Sequence, residues 1–111
     1  MATFTFDELY GAGVSSPNLT AGTPYTFTIT NNPGSSYLIL ESIPDINDIK
    51  TPNTSGTYTS MVNIVSSVIG DYTAGFALSN GSCTFVFTPA INVVGTTLKL
   101  RGTGGISLVV S

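Results

Sequence analysis

The stretch Tyr25-Thr26-Phe27-Thr28-Ile29-Thr30 decides the fold class. Apolar and aromatic side chains alternate one for one with threonine. A period of two is the period of a β-strand, whose successive side chains point to opposite faces. Threonine suits that setting, because its branched Cβ packs well on a pleated surface and is restricted at χ1 in a helix. One face of this strand reads as core and the other as a hydroxyl-bearing surface.

The same alternation opens the chain in Thr3-Phe4-Thr5-Phe6 and returns from Cys83 to Thr88, with Phe85 and Phe87 on one face. Tyr37 to Glu41 is more continuously apolar and predicts a more deeply buried strand. Tyr72 to Leu78, Thr97 to Arg101 and Ile106 to Val110 extend the series, and Gly56 to Thr59 offers a short addition. Turn chemistry lies between them. Asn31-Asn32-Pro33-Gly34-Ser35 predicts a turn. Asn80-Gly81, an Asn-Gly pair between apolar strands, predicts a hairpin. Gly102-Thr103-Gly104-Gly105 predicts a second hairpin, joining 97–101 to 106–110. Residues 44–56, with two prolines, read as a long surface connection.

One segment pulls the other way. Met61, Val65, Val68 and Ile69 fall at helical spacing, with Ser60 placed to cap and Gly70 placed to stop. The expectation is a short helix over 60–69, although the β-branched content opposes it. The whole chain reads as all-β, a single domain over residues 1–111. Seven or eight short antiparallel strands would form a β-sandwich or jelly-roll-like fold.

Composition narrows the function. Only 8% of the 111 residues are charged, against roughly 25% in an ordinary globular protein. Three Lys and Arg residues and a net charge of −3 give no cluster with which to displace counterions, so nucleic acid is not expected as a partner. The apolar runs fall far short of the ~20 residues of a membrane span. MATFTFDELYG has no base, and Asp7 and Glu8 interrupt its apolar residues, so the expectation is synthesis in a cytosol without a signal peptide. On that expectation the sequons at Asn18, Asn53 and Asn80 are by-products of composition.

Catalytic chemistry is short of material. The chain has no His, which removes imidazole acid–base work and imidazole metal ligands. Asp7, Glu8, Glu41, Asp45, Asp48 and Asp71 could supply a glycosidase pair, but they read as solvated turns and caps. Asp45-Ile46-Asn47-Asp48 lacks the spacing and the closing Glu of a calcium loop. The glycine cluster at 102–105 lacks the lysine of a phosphate loop. Cys83 reads as a small buried hydrophobe in SCTFVF. No catalytic, cofactor or metal residue is expected. Tyr10, Tyr25, Tyr37, Tyr58 and Tyr72 are the candidates for stacking on sugar rings, with ordinary packing the simpler account.

Two of the three cations stand together in Thr97-Leu98-Lys99-Leu100-Arg101. Alternation puts the leucines on one face and Lys99 and Arg101 on the other. They could guard an edge strand against stray pairing, meet carboxylates on a partner, or pair with Glu41 inside the fold.

A Thr-, Ser-, Asn- and Gly-rich chain without His or Trp has the composition of extracellular β domains, yet no export signal is read in it. Through TFTFDELYG, YTFTIT and TLKLRGTGG it resembles the small β-sandwich structural proteins of tailed-phage virions, head decoration or cement proteins above all. The resemblance implies a non-enzymatic virion protein, made in the host cytoplasm, that binds the outside of an assembled shell and strengthens it. Its partners would be the major capsid protein or another virion protein, and further copies of itself, with a trimer favoured. Lys99, Arg101, Asp45, Asp48 and Lys50 are the expected partner contacts. The alternative is a glycan-binding module of a virion fibre or tail protein.

Overall fold

Each stretch that alternates in sequence is a strand in the computed structural model, which describes residues 2–6, 14–32, 36–41, 55–69, 73–94, 96–101 and 106–111. Ten strands run in chain order: Ala2–Phe6 (β1), Val14–Ser15 (β2), Tyr25–Asn32 (β3), Ser36–Glu41 (β4), Gly56–Val62 (β5), Ile64–Ile69 (β6), Thr73–Leu78 (β7), Gly81–Pro89 (β8), Thr97–Arg101 (β9) and Ile106–Val110 (β10). They form two antiparallel five-stranded sheets, the first in the order β1-β10-β3-β8-β5 and the second in the order β2-β9-β4-β7-β6.

The order is that of a rolled ribbon. β1 pairs with β10, β2 with β9, β3 with β8 and β4 with β7, so the first four strands lie against the last four. Rolling then brings β10 against β3 and β9 against β4. This is the winding of a jelly roll. β5 and β6 add one strand to the far edge of each sheet, on β8 and β7.

Three expectations are corrected by this winding. β7 and β8 do not pair across Asn80-Gly81, because they lie in different sheets. Gly81 does take the positive φ that the Asn-Gly pair suggested, at 99°, but it serves a crossing between sheets. β9 and β10 likewise lie in different sheets and form no hairpin, and the residues between them are outside the described part. The helix expected over 60–69 is instead the end of β5 and all of β6. A helix there would need its Met61, Val65, Val68 stripe buried, and all three side chains are exposed. The β-branched residues follow their strand preference and pair with β7 and β8. The long connection expected at 44–56 falls almost wholly outside the described residues.

The core lies between the sheets. Phe27, Ile29, Cys83, Phe85, Phe87 and Leu108 face inward from the first sheet, and Leu38, Leu40, Phe76, Leu78 and Leu98 from the second. Phe76 stacks on Phe85 at 3.9 Å between ring centroids, and Phe85 stacks on Phe27 at 4.8 Å. Tyr58 and Phe87 meet Phe76 edge-on. Outside the strands, Leu19 and Val93 are buried together and exchange backbone hydrogen bonds of 3.0 and 2.8 Å, which closes one end of the roll.

Candidate interaction surface

Lys99 is one of the two cations that the sequence sets together on one strand. In the register of β4 with β9 it stands opposite Ile39, while Glu41 stands opposite Thr97. Lys99 and Glu41 are therefore diagonal neighbours on the outer face of the second sheet, within reach of long side chains. The Lys99 ammonium Nζ lies 2.8 Å from Oε2 of Glu41, each side chain about a quarter exposed. Of the accounts open to Lys99, the pairing within the fold is the one observed. β2 covers the far side of β9 only at Thr97 and Leu98, and on that side Lys99 and Arg101 have no partner strand among the described residues. Arg101 stands opposite Tyr37 in the register, and its side chain lies outside the described part. Asp45, Asp48 and Lys50 lie outside it as well, as do Asp7, Glu8 and Asp71. Glu41 is thus the one described carboxylate, and among the described residues no group could hold a metal ion.

The three described tyrosines are occupied. Tyr58 packs on the core beside Phe76. The ring of Tyr37 lies over Gly75, where any Cβ would collide with it. The backbone N–H of Thr20 donates to the Tyr25 hydroxyl at 2.7 Å, which stabilises the phenolate and holds its pKa below the usual tyrosine value. Tyr10 and Tyr72 lie outside the described residues. Cys83 is fully buried, with its thiol 3.2 Å from the carbonyl oxygen of Ser79.

Two surfaces then stand out. One is the outer face of the first sheet. Inward Phe27, Ile29, Cys83, Phe85 and Phe87 leave Thr26, Thr28, Thr30, Thr84 and Thr88 outward. Thr28 stands opposite Thr84 on one side and Val109 on the other, and Thr88 stands opposite Thr57. The result is a broad face of hydroxyls and methyls with no charged side chain among the described residues. The other is the edge made by β5 and β6, which no further described strand covers. These strands are one chain segment bent at Asn63, whose φ is 55°. Its carbonyl accepts from the Ser79 N–H at 2.9 Å, and its side-chain amide donates to the Ser82 carbonyl at 2.8 Å. Bulges fall on either side of the bend, between Ser60 and Val62 and between Ile64 and Ser66. Around it Met61, Val62, Val65 and Val68 are 61, 46, 71 and 64% exposed.

The sequence readings placed the threonines outward but missed the edge. Its signal was present, in the absence of any charged residue from 51 to 70. No family model matches the chain, and neither does any curated protein or solved structure.

Proposed function

We propose that the chain is a non-enzymatic structural protein of a virion, a decoration protein that binds the outer surface of an assembled shell and strengthens it. The observation that carries the reading is the uncharged threonine face of the first sheet. A shell can cover such a face without stripping water from ions, and interface centres are depleted of charge for that reason. The threonines stand on paired strands over an aromatic core, so they are ordered before binding and little rotamer freedom is lost. The jelly-roll winding agrees by analogy of fold, since viral capsid domains use it.

The glycan-binding alternative draws less support. Tyr25, Tyr37 and Tyr58 are each engaged within the fold rather than set in an open row.

The test is co-banding. An antibody to the purified chain is used to probe a density gradient of particles from cells that encode it. The expected result is signal in the band that holds the major shell protein. A chain carrying Thr28→Lys and Thr84→Lys should fold as before and leave that band, because two cations now have to be buried against the shell. Signal only at the top of the gradient would overturn the proposal.

A further inference from the structure

We infer that the β5–β6 edge is a self-association surface, on which a second copy of this chain pairs β6 with β6, antiparallel, about a two-fold axis. A sheet edge is a row of unpaired N–H and C=O groups, and proteins that keep an edge single blunt it with Lys, Pro or inward charge. The run from 56 to 69 contains none of these. It carries instead four of the six large apolar side chains exposed among the described residues.

Charge selects a second copy as the occupant. All nine charged residues of the chain lie outside 51–70, and their sum of −3 makes two copies repel over most approaches. Along the described residues of this edge two copies meet with no like charges opposed. An antiparallel strand edge is also self-complementary under a two-fold rotation, which is what an isologous contact requires. Past its bulge β6 pairs regularly with β7 from Ser66 to Ile69, so its other side is straight enough to extend the ladder. Val68 would then pack beside its symmetry mates, and Val65 and Met61 would flank the seam.

Area sets the strength. Four apolar side chains offer a few hundred Å², below the roughly 800 Å² per partner of a standard interface. The dimer should therefore be reversible, with a Kd in about the micromolar range. The resemblance to decoration proteins favours a trimer, whereas this edge points to a two-fold pair. The inference does not depend on shell binding.

Sedimentation velocity on the purified chain from micromolar to millimolar concentration tests it. The mass should rise from 11.5 kDa to twice that value. Val68→Lys, which sets like charges beside the seam, should weaken association at least about tenfold with an unchanged thermal midpoint. Amides of 64–69 should gain hydrogen-exchange protection as the unmodified chain is concentrated, a readout that stands even if the variant fails to fold. A chain monomeric at millimolar concentration, a closed trimer, or protection gained elsewhere would overturn the inference. So would a folded Val68→Lys that associates like the parent. If an exposed strand of another protein were the true occupant, the chain alone would stay monomeric. Shell co-banding is read separately, so either reading can fail without the other.

Discussion

Oε2 of Glu41 is shut off from water, and the Lys99 ammonium 2.8 Å away is its one partner among the described residues. Removing one member of such a pair costs more than the pair itself contributes, because the survivor keeps its desolvation without its counter-ion. Lys99→Met should cost about 1–3 kcal/mol in urea unfolding. Adding Glu41→Gln to it should restore much of the loss, and the full cycle should give a coupling of about 0.5–1 kcal/mol, trimmed by solvent screening of side chains a quarter exposed. A double variant that costs the sum of the two single variants would mean that the ion pair contributes nothing. The pair was legible in sequence only as one of several options. Alternation fixed the face of Lys99, but the register that sets Glu41 opposite Thr97, and so diagonal to Lys99, belongs to the folded sheet.

The bend at Asn63 shows how far elements can be read from local pattern. Strands announced themselves, because alternation over YTFTIT or CTFVFT reports directly which side chains are buried. Connections did not. An Asn-Gly pair supplies positive φ equally well to a hairpin and to a crossing between sheets, and only the far partners of β7 and β8 decide between them. The helical spacing of Met61, Val65 and Val68 misled for a related reason: exposed apolar residues on a strand edge can fall at any period. Asn63 itself is well suited to its place. It tolerates the left-handed region better than other side chains with a Cβ, and its amide closes the corner onto the Ser82 carbonyl. Asn63→Gly should keep the backbone and lose only that hydrogen bond, at about 0.5–1.5 kcal/mol. Asn63→Val loses the bond and forces a β-branched residue to positive φ, adding about 1–3 kcal/mol of strain. Chemical unfolding of the two variants checks the order. A valine variant as stable as the glycine variant would remove strain from the account of this corner.

At the scale of the whole molecule, the roll ties the first strand to the last, so its stability rests on contacts between residues far apart in sequence. Aromatic rings bridge the two sheets. Phe76 is the only phenylalanine that the second sheet contributes to the buried core, and Phe85, Phe87 and Tyr58 all pack around it. A ring in that position cannot be replaced by local relaxation, because its neighbours are held in the register of β8 and β5 on the opposite sheet. Phe76→Ala should therefore leave a cavity that collapses poorly and cost about 3–5 kcal/mol. That is a large share of the ~5–15 kcal/mol available to a domain of this kind. Val65→Ala, at an exposed site on the edge, should stay within about 0.5 kcal/mol of the parent. Urea unfolding followed by far-ultraviolet circular dichroism, at a concentration low enough to keep the chain monomeric, measures both. If Phe76→Ala were as mild as Val65→Ala, the sheets would have to be held together by the aliphatic residues of the core, and the aromatic stack would be ornament on a roll already closed.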